Sequence, residues 1–271
     1  MTATVSLAHL SDPHVTTGVL GAAPAMALRF ALGRARRLDP RPDALVITGD
    51  LVDHGRRDEY EALREVLGSF PMPVHLVAGN HDDPAALLDV FAGTPFLPAE
   101  AEKRLREPGG RLRYAVEHPA FTVAVLDSRV EGEPGGLLGD AQLDWLDATL
   151  AARPDTPAFV CLHHPPLPIG VPMADGMRLA DGDALAAVVA RHPHVARVLA
   201  GHVHRPTAAA FAGTTLVTAP STHLQSDLRL TEGAPGFVPE PTAFQLHLRP
   251  AGGSAWVTHT VAVSHAAAPV L

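Results

Sequence analysis

The chain of 271 residues has one cysteine, Cys161, and one lysine, Lys103, among its 21 basic residues. A single thiol forbids an intramolecular disulfide and any thiolate zinc cluster. The 21 basic residues face 29 acidic ones, which leaves a net charge of -8 and a pI near 6.0. That balance argues against broad electrostatic binding to nucleic acid or to an anionic membrane, while leaving room for a local cationic site. No apolar run approaches the 18 or so residues of a membrane span. The first ten residues show no basic region ahead of a long apolar stretch, so no signal peptide is expected. With the lone cysteine, this makes the cytoplasm the expected compartment. What the chain holds in quantity is histidine, at 16 residues, the commonest metal ligand and the side chain that titrates near neutrality.

At this length one large domain with a small appendage is expected, residues 1–220 as a core and 221–271 as a cap or oligomerisation segment packed on it. Short β-rich runs at 4–10, 44–48, 74–78, 121–126, 158–162 and 195–200 alternate with helix-period stretches at 25–38, 58–67, 84–91, 140–150 and 181–191. The alternation predicts an α/β protein with buried, largely parallel strands. After His204 the pattern turns to short strands at 207–211, 214–218, 243–248 and 256–263, with 221–241 as an irregular Pro- and Gly-rich loop.

Each apolar run ends in polar residues: Asp12-Pro13-His14, Gly49-Asp50, Gly79-Asn80-His81, His163-His164 and Gly201-His202-Val203-His204. Strand carboxyl ends are where open α/β sheets build their sites, so clusters far apart in sequence can converge. The glycines at 49, 79 and 201 are expected to give the backbone a sharp turn at those points. Two carboxylates, one amide and several imidazoles, with no thiolate, suit Mn, Fe, Co, Zn or Ni rather than the all-oxygen shells of Ca or Mg. Seven such donors are too many for one ion and divide between two if one carboxylate bridges.

Together these blocks resemble the calcineurin-like metallophosphoesterase superfamily, whose signature is D-x-H, G-D-x-x-x-x-G, G-N-H, a lone H, and G-H-x-H. The flanking residues Asp82-Asp83, Pro165-Pro166-Leu167-Pro168 and Ala219-Pro220-Ser221-Thr222 resemble the class III cyclic nucleotide phosphodiesterases and bacterial glycerophosphodiesterases within it. The resemblance implies a four-layer α-β-β-α sandwich, two packed mixed sheets flanked by helices. It implies that Asp12, His14, Asp50 and His204 hold one divalent metal and Asp50, Asn80, His163 and His202 the other, with Asp50 and a water or hydroxide bridging them. His81 would face the substrate phosphate without touching a metal. Asp53 matches the aspartate that orients that histidine in the protein Ser/Thr phosphatases of the superfamily. The arginine that follows it in those enzymes is His54 here. His54 and His223 are candidate substrate contacts at the rim, and His164 is expected to shape the loop rather than bind metal.

The implied activity is hydrolysis of a small phosphodiester, a cyclic 3′,5′-nucleotide such as cAMP or a glycerophosphodiester, by hydroxide activated on two ions of Fe, Mn, Zn or Co. A phosphomonoesterase is the nearest alternative. A nuclease would need a basic groove that this acidic chain lacks, and a scaffold without metals would have lost ligands that are all in place here. The expected partners are therefore a small-molecule substrate and further copies of the chain, with no nucleic acid and no membrane. Cys161, inside the run Phe159-Val160-Cys161-Leu162, is expected to be an inert core residue.

Overall fold

The computed structural model describes residues 4–68, 70–233 and 236–263. The first sheet holds β1 (Val5–Leu10), β2 (Ala44–Thr48), β3 (Val74–Val77), β14 (Ala243–Arg249) and β15 (Val257–Ala262), in the order β15-β14-β1-β2-β3. β1, β2 and β3 run parallel, and β14 adds antiparallel to β1. The second sheet holds β4 (Tyr114–Glu117), β5 (Thr122–Val125), β8 (Ala158–Cys161), β9 (Val195–Ala200), β10 (Thr207–Phe211) and β11 (Thr214–Thr218), in the order β10-β11-β9-β8-β5-β4. Its four central strands are parallel. Two small ribbons, β6 (Arg129–Val130) with β7 (Glu133–Gly136) and β12 (Gln225–Ser226) with β13 (Phe237–Val238), lie outside both sheets.

Strand β8 shows how the layers form. Phe159 and Cys161 join the cluster shared with the first sheet, while Ala158 and Val160 join the cluster under the outer helices. A strand buried on both faces reads as a continuous apolar run, which is why these strands were legible without alternation. Helices α1 (Ala22–Arg36), α2 (Arg57–Leu67) and α3 (Pro84–Phe91) send Leu28, Leu63 and Phe91 into the first cluster. The short α4 (Ala99–Leu105) adds Ala101 to it. Helices α5 (Asp140–Ala151) and α7 (Gly182–Ala190) close the second with Leu146 and Leu185, and α6 (Pro172–Gly176) lies in the loop between β8 and α7. The result is the expected four-layer sandwich of two mixed sheets between helices.

One expectation needs correction. The last fifth of the chain is not one cap: β14 sits between β1 and β15 as an interior strand, with Phe244 fully buried, so 243–262 belongs to the core sheet. From the preceding stretch, Ser221, His223, Leu224, Ser226, Asp227 and Phe237 lie by the strand-end loops, and 264–271 fall outside the described residues.

Candidate metal centre at the strand ends

The parallel strands β1, β2, β3, β8 and β9 end on one side, and the residues that follow them meet there. His14 and His204, 190 positions apart, bring their Nε2 atoms within 3.1 Å. The bends that achieve this are unusual. Asp12, His14, Asp50, His202 and His204 all adopt left-handed backbone, with φ of 47°, 44°, 45°, 69° and 50°. L-residues adopt this region at a cost and keep it only where surrounding bonds over-determine it. Those bonds are present: Asp12 N donates to Gly49 O, His14 N to Asp50 O, and the Ser221 hydroxyl to Asp12 O at 2.7 Å. The carboxylate oxygens of Asp12 in turn accept from His202 N.

The expected turning role of glycine holds at Gly49, whose φ is +93°. Gly201 serves differently: a Cβ there would collide with the Ser11 hydroxyl and lie 2.5 Å from Thr48 O. It is small because β1 and β2 pass against it.

Four imidazoles share one pattern. Nδ1 of His14 donates to the Asp53 carboxylate (3.1 Å), of His163 to Thr48 O (2.8 Å), of His204 to Leu224 O (2.9 Å) and of His81 to Asp53 O (2.7 Å). A carbonyl or carboxylate oxygen only accepts, so each ring carries a proton on Nδ1 and turns its Nε2 inward. Asp50 lies between two sets of these nitrogens, one oxygen 3.5 Å from His14 and the other 3.4 Å from His163. His163 Nε2 is also 3.1 Å from the Asn80 side-chain oxygen and 3.3 Å from His202 Nδ1.

Burial opposes charge on Asp50, but the charge and hydrogen bond of His163, then His14 and His81, hold its carboxyl well below the usual range. Burial, then His163, pushes His202 down to about 3 and so keeps it neutral. The Nε2 of His202 is buried without a hydrogen-bond partner. Inward Nε2 atoms, an unpartnered buried nitrogen and a central carboxylate make a set of oxygen and nitrogen donors that fits divalent cations of the borderline transition series. Asp12, His14, Asp50 and His204 group tightly enough to share one ion. His163, His164 and His202 also group tightly enough to share an ion, while His164 bonds the Ser128 hydroxyl through Nδ1 and its Nε2 lies 3.1 Å from Pro134 O.

Two rim expectations change. Asp53 orients His81 through its main-chain oxygen, and its carboxylate, 3.9 Å from His81, bonds His14 instead. His54 bonds Glu59, a fully buried carboxylate that also takes Thr16 and Arg56, through both its Nδ1 and its main-chain N, and it does not line the cavity. His81 and His223 do line the cavity over the centre, which measures about 560 Å³.

The sequence reading missed Asp82. Its buried carboxylate accepts from Gly79 N (2.8 Å), Leu51 N (3.0 Å) and Tyr60 OH (2.8 Å), tying the loop after β2 to the loop after β3. Burial, then the Asp50 charge, pushes it up to about 6. Nothing in the local sequence separates it from its neighbour Asp83, which caps α3 by accepting from Ala86 N.

The family model for calcineurin-like phosphoesterases matches residues 5–206. A glycerophosphodiester phosphodiesterase of Enterobacter lignolyticus is 32% identical, covering 98% of this chain and 94% of its own. A 3′,5′-cyclic adenosine monophosphate phosphodiesterase of Pseudomonas aeruginosa is 30% identical, covering 87% of this chain and 84% of its own. Among solved structures, a dimetal phosphatase from Danio rerio shares the fold, with a TM-score of 0.65 at 18% identity over 96% of this chain and 99% of that one. The matched span contains every strand whose end loop meets at Asp50, and the chain belongs to the calcineurin-like phosphoesterase family.

Proposed function

We propose that the chain hydrolyses small phosphodiesters, either cyclic 3′,5′-nucleotides such as cAMP or glycerophosphodiesters, with two divalent metal ions held in its strand-end loops. The observation that carries this reading is the Asp50 carboxylate, whose two oxygens face separate sets of imidazole nitrogens at 3.5 and 3.4 Å. Asp12, His14, Asp50 and His204 would hold one ion, and Asp50, Asn80, His163 and His202 the other. The donor set suits Fe, Mn, Zn or Co. Ions bound there supply Lewis acidity and draw the pKa of water toward neutrality.

The chain's own residues do the rest. The Nδ1 bonds to Asp53, Thr48 and Leu224 fix ring orientation before any ligand arrives. His81, anchored through Nδ1, presents Nε2 to the cavity, where its protonated form donates to a phosphate oxygen or passes that proton to the leaving alkoxide. His223 lines the same cavity within reach of the substrate. A diester monoanion needs less positive charge than a monoester dianion, and among the described residues the one guanidinium lining the cavity, Arg205, is already paired with Glu240 at 3.2 Å. The names of the two relatives support the same preference. Buried Cys161 suits a reducing cytoplasm, and the exposed edge strand β15 suits self-association.

Turnover of bis(p-nitrophenyl) phosphate, p-nitrophenyl phosphate, cyclic AMP and glycerophosphocholine with Mn2+ present tests the proposal. Diesters are expected to turn over faster than the monoester. No hydrolysis of any diester overturns it.

A further inference from the structure

We propose that one wall of the cavity is a subsite for an apolar ester group, so that the enzyme selects phosphodiesters bearing an unbranched alkyl chain over small polar ones. The inference rests on the phosphodiesterase reading and names its substrate class. The cavity of about 560 Å³ is far larger than a phosphate needs, and one side of it is the metal centre. The other side is apolar: Leu20, Pro24, Val171, Met173, Met177 and Phe237.

These residues come from three separate segments, the turn before α1 with the first turn of that helix, the loop around α6 and strand β13. Three of them are large side chains left in water, Leu20 at 78%, Met173 at 42% and Phe237 at 63% exposure. The Phe237 ring stands 5.6 Å from that of His204, so the apolar wall begins beside a proposed ligand. Three of the lining polar groups are already engaged, while the Oδ1 of Asp227 is buried without a hydrogen-bond partner. Thr16 donates to Glu59, Ser221 donates to Asp12 O, and Arg205 is held by Glu240 and by the Ser226 main-chain oxygen. A chain laid on this wall releases water from apolar surface on both sides, worth about fourfold in binding per fully buried methylene.

The test uses Mn2+-loaded full-length enzyme and the p-nitrophenyl diesters of methyl, butyl and octyl phosphate, below any micelle concentration. The leaving group is constant, so kcat/KM reports the second ester group alone. We expect at least a tenfold rise from methyl to butyl and a further rise to octyl. The double substitution Leu20→Ser with Met173→Ser is expected to bring the octyl-to-methyl ratio close to one. That ratio is measured within one preparation, so any loss of folded protein cancels. A flat response across the three diesters in the native chain overturns the subsite while leaving the diesterase reading intact. A rise that survives the double substitution overturns it as well, because the chain then binds elsewhere. No hydrolysis of any of the three overturns the underlying reading instead.

Discussion

Asp53 acts through His14. Its carboxylate accepts a hydrogen bond from His14 Nδ1 at 3.1 Å, and that bond, ahead of the opposing effect of burial, lowers its own pKa. A carboxylate behind a metal-binding imidazole fixes the ring and raises its basicity, and losing it costs roughly 10- to 100-fold in metal affinity. Asp53→Asn is therefore expected to weaken binding of an ion at the proposed His14 site by about that factor. Metal titration followed by calorimetry reads this directly, and the deficit in rate should be recovered at high Mn2+. His81 keeps its main-chain anchor in this variant, so a rate loss that excess metal does not repair would return Asp53 to the His81 role. The sequence carried Asp53 as a site residue but not its direction, because the choice between two imidazoles depends on loop bends of a few ångströms.

The loops after β2 and β3 are tied to each other through Asp82. Its carboxylate satisfies Gly79 N, Leu51 N and the Tyr60 hydroxyl, all buried. Asp82→Ala would orphan these donors, at about 1–3 kcal/mol for each buried group left unmatched, for a total loss of at least about 3 kcal/mol. The adjacent Asp83→Ala removes only an N-cap and should cost about 1 kcal/mol. Urea unfolding of the two variants compares them, and equal losses would contradict the bridging role of Asp82. The contrast also marks what a sequence conveys at this scale. Strands such as β2 and β8 were readable because they are bounded, fully buried apolar runs, and their polar ends were readable because Gly, Asp and His stand out directly after such runs. The acceptors that aim the imidazoles, Thr48 O and Leu224 O, are main-chain atoms and leave no trace in residue identity. The left-handed bends at five of the seven proposed ligands are equally invisible, since Asp and His enter that region only under tertiary constraint.

The sandwich closes by bringing β14 back to β1 across most of the chain, and no local pattern announces a pairing of that span. One consequence lies in the layer between the sheets. His9 on β1 and His247 on β14 face each other there, His247 Nε2 3.3 Å from His9 Nδ1, with Thr48 and Thr258 bonding the outer nitrogens. Burial lowers both far below the normal imidazole value, His9 to about 3, and burial with the neighbouring His118 lowers His75 to about 3 as well. These rings fold in the neutral form. Above pH 6.5 they are neutral in both states and linkage contributes nothing; below it the unfolded chain takes up protons that the folded chain refuses. Stability is therefore full above about pH 6.5 and falls as the pH drops toward 3, by up to about 1.4 kcal/mol per pH unit for each histidine. Urea midpoints of the metal-free protein between pH 7.5 and 4.5 should show this decline, and His75→Gln should make it shallower by one histidine's share. His75 serves best for the comparison because it lies away from the strand ends, bonded only to the half-exposed His118. An unchanged slope in that variant would mean that His75 titrates alike in both states, and that the acid sensitivity belongs to the metal centre rather than to the core.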